Sequence, residues 1–445
     1  MPDQLSLPSL FKGLPKSGRL LVAVSGGSDS IALLYLSNAW AKQHGIELFA
    51  ATVDHGLRPE AGAEAAFVSS VCASLGIPHK ILEWQGPKPG SGISALARDA
   101  RYGLLETHAA SIDTQVIMTG HTLDDQAETV AMRLDRTGLE HSGRGLAGMA
   151  RRTRLPRKTV LYRPLLGLTR QELRNYLNSI GQPWIEDPTN QDQSYERVRV
   201  RKYLTGKEDE IRQLGRFSST VGRLRALQND YAVELLQKTA HWEEGLAVQL
   251  SGFLLVDGML KNVQVLALQI VVGIVGGCRF LPQEAAVRRF LENLAPKTTF
   301  GSCVVECFGN DIRVFREKRN LPVLTLIPGE SAIWDGRIKI RNISEDEVIC
   351  GPCSEESILE IEKVTGERFS RFKRASLSSS LELQRENGGK FLPFTGLECE
   401  QESWPDVEIS LVAPAIEHFC PEFDWNLVDW LTRFRQERLF ASTIA

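Results

Sequence analysis

The strongest constraint on the fold is a short apolar run followed at once by a glycine-rich turn and a second apolar run. Leu20–Val24 shows no polar alternation, which is typical of a strand buried on both faces. Residues 25–30 (SGGSDS) follow, and Ile31–Leu36 suits the start of a helix. Glycine permits a tight turn and close approach of a ligand, and the N–H groups at a helix start favour an anion. We therefore predict that this turn binds phosphate.

The turn differs from two better-known phosphate loops. No Gly-Lys-[Ser/Thr] follows it, so it is not a Walker A loop, and it lacks the G-x-G-x-x-G spacing of dinucleotide-binding folds. It also places the carboxylate of Asp29 inside the expected anion site. Negative charge beside a phosphate is unfavourable unless a cation bridges the two, so Asp29 indicates Mg²⁺. The alternative is that Ser28 or Asp29 only caps the helix.

Strands and helices alternate after this turn. We predict strands over 47–53, 77–84 and 115–119, and helices over 61–75, 93–108 and 123–134. This order predicts an α/β fold with a doubly wound, parallel, Rossmann-like sheet, whose ligands bind beyond the carboxyl ends of the strands. Because Ser25, Asp54, His55 and His121 all fall at such ends, one site built from separate segments is expected.

Three acids begin the helix predicted after His121. Asp125 and Glu128 are three residues apart and Asp124 and Glu128 are four apart, so they share one helix face. Their mutual repulsion favours a metal ion or a cationic substrate at this face. The alternative is a capping box, with Thr122 as the N-cap and Asp125 at the third position. His121 by itself is more often a structural residue than a catalytic one.

Basic residues form three further groups. Arg98 and Arg101 lie on one predicted helix, where they could hold a triphosphate or only form surface ion pairs with Asp99. Between positions 133 and 174 there are eleven Arg or Lys against three Asp or Glu, and Arg197–Lys202 is a second basic run. Although the whole chain has a net charge of −3, these stretches suit a phosphodiester backbone. A solvated charged face is the alternative.

The length of 445 residues predicts two or three domains. Strand alternation stops near residue 208, and helices are expected from there to about residue 294. A hairpin is predicted over 302–316, and the chain is β-like beyond about 325. We therefore predict an α/β domain over 1–207, a mainly helical domain ending in the hairpin over 208–324, and a small α+β or β-rich domain over 325–445.

Cysteine usage and hydropathy favour a protein of the cytoplasm. The eight cysteines are scattered, so reduced thiols are expected, although a zinc site at the pairs Cys303/Cys307 and Cys350/Cys353 is conceivable. The first sixteen residues show no signal-peptide pattern. The most apolar stretch, 263–278, is too short to span a membrane, so no membrane association is expected.

Seven motifs together make a family resemblance specific. They are SGGSDS (25–30), VDHGLR (53–58), ARDARY (97–102), GHTLDDQAET (120–129), RGLAGM (144–149), RPLLGLTRQEL (163–173) and WIEDPTNQD (184–192). SGGSDS resembles the loop of the PP-loop ATP-pyrophosphatases, and the whole set resembles the bacterial tRNA(Ile)-lysidine synthases. The resemblance covers about 18–205 and, weakly, 206–320. Val198 stands where that family usually has Asn.

The resemblance implies an AMP-forming carbon–nitrogen ligase that uses ATP and Mg²⁺. Its members join free L-lysine to C2 of cytidine 34 in the CAU anticodon of tRNA(Ile), through an adenylated cytidine, and release AMP and diphosphate. A cytoplasmic monomer or homodimer is implied as well. Two alternatives stay open at this point: a tRNA 2-thiolation enzyme of the same superfamily, and a tRNA-binding module without catalysis.

The resemblance also implies roles for individual residues. ATP is expected at Ser25, Gly26, Gly27, Ser28, Asp29 and Ser30, with Asp29 also holding Mg²⁺. Asp29, Arg101, His121 and Asp125 are expected to be catalytic, and Asp125 and Glu128 to bind lysine. The basic stretches are expected to contact tRNA through Arg144, Arg151, Arg152, Arg197 and Arg201. The resemblance makes 1–207 the catalytic domain, 208–324 a tRNA-interacting domain and 325–445 a tRNA-binding domain.

Overall fold

The chain divides into two compact units. The computed structural model describes residues 6–56, 61–85, 93–137, 143–186, 195–255, 261–386, 388–395, 404–417 and 419–441. The first unit contains 1–225 and 419–423, and the second contains 226–418 and 424–445. The finer division into domains over 1–207, 208–324 and 325–445 stays a prediction. Residues 57–58 and 187–192 of the quoted motifs lie outside the described residues.

The first unit is a seven-stranded sheet with helices on both faces. Its elements are α1 (Leu7–Leu10), β1 (Arg19–Ala23), α2 (Ser28–His44), β2 (Glu47–Asp54), α3 (Ala61–Leu75), β3 (His79–Glu83), α4 (Ile93–Ser111), β4 (Val116–Thr119), α5 (Leu123–Thr137), β5 (Arg152–Arg154), β6 (Val160–Tyr162), α6 (Arg170–Ser179), α7 (Glu196–Leu204), the start of α8 (Glu208–Thr239) and β19 (Cys420–Pro421). The strand order is β19-β5-β6-β4-β1-β2-β3. Strands β6, β4, β1, β2 and β3 run parallel, whereas β5 and β19 pair antiparallel.

Burial explains why β1 lacks alternation. Leu20 and Val22 join a core on one face of the sheet, and Leu21 joins a core with Tyr102 and Ile117 on the other face. A strand in the middle of a two-sided sheet buries every side chain, so its sequence is continuously apolar. The predicted doubly wound α/β fold is confirmed. The carboxyl ends of β1, β2 and β4 lie side by side, as the order β4-β1-β2 requires.

The second unit combines helices with three antiparallel sheets. Besides the rest of α8 it contains β7 (Ala240–Trp242), β8 (Val248–Leu250), α9 (Lys261–Val275), α10 (Glu284–Asn293), β9 (Lys297–Phe300), β10 (Cys303–Phe308), β11 (Asp311–Arg316), β12 (Leu324–Leu326), β13 (Ser331–Trp334), β14 (Ile338–Asn342), β15 (Val348–Pro352), α11 (Glu355–Thr365), α12 (Arg371–Leu377), β16 (Leu381–Arg385), β17 (Lys390–Phe391), β18 (Val407–Leu411), α13 (Pro414–Glu417) and α14 (Trp425–Ala441). The sheets are β7-β8-β11-β10-β9, β12-β15-β16-β17 and β13-β14-β18.

Two expectations for this unit have different outcomes. The predicted hairpin is confirmed, because β10 and β11 pair antiparallel with Val305 opposite Val314. The expectation of helices to about residue 294 is confirmed for α9 and α10 but is wrong for 240–250, because α8 ends at Thr239 and is followed by β7 and β8. Strands of three residues are too short to show a period of two, and these two join the sheet of the hairpin through the pair Ile312–Leu250.

The apolar stretch that begins at Val263 is a buried helix. Val263–Val275 of α9 lies within the largest core cluster of the second unit. No helix within the described residues is both long and apolar enough to cross a membrane.

Candidate active site

The SGGSDS turn has the geometry expected of a phosphate loop. Gly26 has φ +92°, a conformation that strains other residues, and a Cβ there would lie 3.3 Å from Ile185 Cδ1. Gly27 is the N-cap of α2, and no side chain caps this helix start. The alternative in which Ser28 or Asp29 serves as the cap is therefore wrong. The first N–H groups of α2 remain directed at the space beyond the strand ends.

Hydroxyl groups fix the shape of this turn. Ser30 Oγ donates to the carbonyl of Gly27 at 3.0 Å and accepts from the backbone N–H of Ser25 at 3.1 Å. Ser25 Oγ lies 3.3 Å from Ser30 Oγ, and Ser28 Oγ donates to Asp29 Oδ1 at 3.0 Å. The turn is thus closed by its own side chains, so its N–H groups are already oriented for a ligand.

The end of β4 lies against the start of α2. A Cβ at Gly120 would lie 2.9 Å from the carbonyl oxygen of Asp29 and 3.0 Å from the nitrogen of Ser30, so only glycine fits there. The next residue, His121, has Nδ1 2.9 Å from Thr119 Oγ1. Burial and then the Arg163 cation lower the pKa of His121 to about 3, so its imidazole is neutral at physiological pH.

Asp125 forms the predicted capping box and an ion pair as well. Its Oδ2 accepts from the backbone N–H of Thr122 at 2.9 Å, and its own N–H donates to Thr122 Oγ1 at 3.4 Å. Its Oδ1 accepts from Nη2 of Arg197 at 2.7 Å. The capping alternative is therefore confirmed, but it uses only one of the two carboxylate oxygens.

Arg170 is the cation at the centre of the site. Its Nε lies 3.1 Å from Asp29 Oδ2, and its other nitrogens lie 3.5 Å from Asp125, 3.7 Å from Glu128 and 4.0 Å from Asp124. Burial alone would lower the pKa of Arg170, but these four carboxylates outweigh burial and raise it. The pKa of Asp29 is raised, chiefly by burial, although the Arg170 cation opposes that shift. Arg170 is not among the site residues predicted from the sequence.

Two arginines of α7 complete the group. Arg197 Nε lies 2.7 Å from Glu128 Oε2, and Arg201 Nε lies 2.8 Å from Glu128 Oε1. We call the four acids and three arginines together the acid–arginine cluster; its members are Asp29, Asp124, Asp125, Glu128, Arg170, Arg197 and Arg201. The acids were expected to face a metal ion or a cationic substrate, and in the structure they face three arginines of the same chain.

Arg101 lies on α4, and its side chain contacts His55 beyond the end of β2. Its Nη2 is 3.3 Å from Nε2 of His55, which follows β2, and the side chain of Arg101 is exposed. The His55 ring packs edge-on against Trp84, with ring centroids 5.9 Å apart. The contacts described for the chain place Ser25–Ser30, His121 and the acids together, but they do not join Arg101 to the acid–arginine cluster.

The chain matches known proteins along most of its length. Residues 3–208 match the PP-loop domain family (ATP_bind_3). The chain is 40% identical over 340 residues to the tRNA(Ile)-lysidine synthase of Rhizobium meliloti (strain 1021), covering 73% of each. It is 34% identical over 443 residues to that of Brucella anthropi, covering 95% of each, and 35% identical to that of Brucella ovis, covering 95% of this chain and 96% of the relative.

This chain belongs to the tRNA(Ile)-lysidine synthase family. The family predicted from the seven motifs is thereby confirmed, and with it a PP-loop domain that uses ATP. Because the Brucella relatives match 95% of the chain, the similarity extends through the C-terminal third. Among solved structures, the U34-tRNA thiolase NcsA of Methanococcus maripaludis aligns with a TM-score of 0.43 and 18% identity, over 50% of this chain and 78% of that one. A likeness at that level adds nothing further about this chain.

The RGLAGM motif of this lysidine synthase family member is fixed to the acidic helix. Gln126 Nε2 donates to the carbonyl of Met149 at 3.0 Å, and its Oε1 accepts from the N–H of Met149 at 2.7 Å. Gly148 has φ +63°, and a Cβ there would lie 2.6 Å from Gln126 Oε1. The motif is therefore held against α5 by the hydrogen bonds of Gln126.

Most of the arginines expected to contact tRNA have contacts within the chain. Arg151 donates to Tyr162 Oη at 3.0 Å and to the carbonyl of Ser9 at 2.9 Å, which fastens α1 to the sheet. Arg152 pairs with Glu422 at 2.8 Å, and the carbonyl of Arg144 accepts from Arg225 at 3.0 Å. Arg197 and Arg201 belong to the acid–arginine cluster. The contact of all five with tRNA stays a prediction.

The cysteine pairs lie in the second unit, in separate sheets. Cys303 and Cys307 are on β10, whereas Cys350 is on β15. Burial raises the pKa of Cys350 and Cys353 to about 12, so neither thiol ionises near neutral pH. Within the described ranges, no group of three or more His, Cys, Asp or Glu could hold a metal ion.

Proposed function

We propose that this chain joins free L-lysine to C2 of cytidine 34 in the CAU anticodon of tRNA(Ile), at the expense of ATP and in the cytoplasm. Kinship with the tRNA(Ile)-lysidine synthases supports the reaction. The observation that carries the site assignment is the position of two buried carboxylates, Asp125 and Glu128, linked through Arg170 to the phosphate turn. A cationic amino acid and a nucleotide can meet there.

The first step is adenylation of the cytidine. The C2 oxygen attacks the α-phosphorus of ATP, the bond to the β-phosphate oxygen breaks, and diphosphate leaves. Backbone N–H groups at Gly26, Gly27 and the start of α2 would stabilise the phosphate charge, since they are already oriented in the turn. Arg101, an exposed cation of α4 beside His55, would offset charge on the cytidine oxygen or the leaving group.

The residues of the turn fit one Mg²⁺ ion. Mg²⁺ in nucleotide sites commonly takes one or two carboxylates and completes its shell with phosphates and water. Asp29 is such a carboxylate. It lies at the second position of α2, and its Oδ1 accepts a hydrogen bond from the rotatable hydroxyl of Ser28. When bound, the ion would neutralise charge on the phosphates. Asp29 would hold it, and Arg170 would share the remaining charge of Asp29.

The second step replaces AMP by lysine. An unprotonated amine of lysine attacks C2, the bond from C2 to the AMP oxygen breaks, AMP leaves with that oxygen, and the new C–N nitrogen gives up one proton to water. Asp125 and Glu128 would hold and aim the cationic amino acid, because carboxylates at a buried helix face favour ammonium groups. The neutral imidazole of His121, fixed by Thr119, would line the site without adding a positive charge that repels lysine.

The test is a reconstituted reaction. The protein is mixed with ATP, Mg²⁺, labelled lysine and a tRNA(Ile) transcript with the CAU anticodon, and a transcript with uridine at position 34 is the control. We expect one lysine incorporated per CAU transcript, with AMP and diphosphate released in equal amounts. ATP cleavage without lysine incorporation would contradict the proposal. The proposed monomer or homodimer is checked by sedimentation of the same sample.

A further inference from the structure

The carboxylate proposed to bind lysine already has several partners. Glu128 accepts from Arg197 Nε at 2.7 Å and from Arg201 at 2.8 Å and 3.3 Å, and Arg170 lies 3.7 Å from its Oε1. A carboxylate offers about four lone-pair sites, and three of them are taken by these hydrogen bonds. At most one acceptor site of Glu128 is therefore left for an incoming ammonium group.

The charges of the cluster leave a place for lysine, but one that a guanidinium occupies. Four carboxylates face three guanidinium groups, so one negative charge is left over. Arg197 contacts both Asp125 and Glu128 at 2.7 Å, and a lysine ammonium on the same two acids would lie within contact distance of it, where like charges repel. One guanidinium must therefore move aside before lysine can bind both acids.

Exposure indicates which guanidinium can leave. The side chain of Arg170 is 17% exposed and that of Arg201 is 27% exposed, but that of Arg197 is 45% exposed. The acids that Arg197 contacts, Asp125 and Glu128, are only 12% and 1% exposed. Arg197 thus lies between these two carboxylates and the solvent.

Local packing allows Arg197 to move without unfolding α7. Arg197 is in the first turn of this helix, where Tyr195 is the N-cap and provides no side-chain hydrogen bond. The later residues Val200 and Leu204 pack on Leu123 and Ala127 of α5, which anchors the helix. A rotation of the Arg197 side chain therefore opens the acids while α7 stays in place.

We infer that Arg197 is a place-holder for the lysine ammonium group: it neutralises Asp125 and Glu128 until lysine displaces it, and so sets the affinity for lysine. This inference rests on the proposed function. When a ligand must displace an internal competitor, its apparent affinity is the intrinsic affinity multiplied by the fraction of molecules in which the site is open. Removing the competitor should therefore tighten lysine binding.

The test is steady-state kinetics of lysine incorporation by the full-length protein. In Arg197→Gln we expect the KM for lysine to fall about three- to tenfold, the range set by loss of a partly exposed ion pair. Arg197→Lys, which keeps a cation but reaches only one carboxylate at a time, should fall between wild type and Arg197→Gln. Arg199→Gln is the matched control, since it removes the same charge from the same helix two residues away, on a different side. Its KM for lysine should equal that of wild type.

Other results overturn the inference in distinct ways. A raised KM for lysine in Arg197→Gln would mean that Arg197 helps to bind lysine. A raised KM for tRNA with an unchanged KM for lysine would mean that it contacts tRNA, and a loss of kcat alone would place it in the chemistry. If the wild type incorporates no lysine at all, the proposed function fails, and the inference fails with it. If Arg197→Gln does not fold, an unchanged KM for lysine in Arg197→Lys overturns the inference.

Discussion

The phosphate turn and the acid–arginine cluster are neighbours joined by Arg170, yet they are built in opposite ways. The turn consists of consecutive residues and acts through backbone N–H groups, small hydroxyls and two glycines. The cluster consists of long charged side chains from α2, α5, α6 and α7, held by mutual attraction. A backbone site is fixed before a ligand arrives, whereas a side-chain site can exchange its partners. This difference suits a fixed nucleotide and a replaceable amino acid.

Gly120→Ala should have the largest effect, because it attacks the fixed region. The new Cβ would lie 2.9 Å from the Asp29 carbonyl oxygen and 3.0 Å from the Ser30 nitrogen, so the phosphate turn must shift. We expect kcat/KM for ATP to fall by about 10²-fold, the scale expected for a misplaced site. Gly103→Ala is the control, since a Cβ in that helical position meets nothing within 4 Å. Equal kinetics in both variants would show that the turn is not rigid.

Asp125→Asn separates the two functions of that carboxylate. An amide oxygen can still accept from the Thr122 N–H, but the negative charge opposite Arg197 is lost. We expect lysine incorporation to fall by on the order of 10²-fold, with a loss of about 1 kcal/mol in the free energy of unfolding. Thr122→Ala should show a similar loss of stability but nearly full activity. If Asp125→Asn unfolds at the assay temperature, the main function of Asp125 is to cap α5.

Arg170→Lys probes the link between the two regions. An ammonium group keeps the charge but is unable to contact Asp29, Asp125 and Glu128 together, because it lacks the guanidinium fork. We expect KM values for ATP and lysine to rise together, each about tenfold. Arg174→Lys, one turn further along α6 and paired with Glu186 at the surface, is the control. A change in only one of the two KM values would show that Arg170 serves one region alone.

The smallest expected effect concerns the neutral imidazole of His121. Burial lowers the pKa of His121 to about 3, whereas an unfolded histidine titrates near 6.5. Between these values the unfolded chain binds a proton that the folded chain does not, so stability falls as pH falls. His121 should account for on the order of 1 kcal/mol of stability lost between pH 8 and pH 5.5. In His121→Asn this loss should disappear from the denaturation curves; an identical pH dependence would show that His121 is protonated when folded.

The same contrast explains what the sequence could predict. The parallel strands and the phosphate turn were predictable, because a strand buried on two faces and a tight turn are each encoded by consecutive residues of the sequence. Arg170 was not, because it lies far in sequence from Asp29 and from the acids of α5. One signal was present: Arg170 and Arg197 both lie in the first turn of a helix, where the helix dipole disfavours a cation. A cation placed there against the dipole indicates acidic partners elsewhere in the fold.

The most direct test of this division of labour is Glu128→Gln, in a single reaction with ATP, labelled lysine and the CAU transcript. The phosphate turn should still adenylate the cytidine, while the altered cluster should fail to bind lysine. We expect diphosphate release equal to the amount of tRNA, with adenylated cytidine accumulating and little lysine incorporated. Lysine incorporation with the wild-type KM, or an equal loss of diphosphate release and lysine incorporation, would contradict the separation of the two regions.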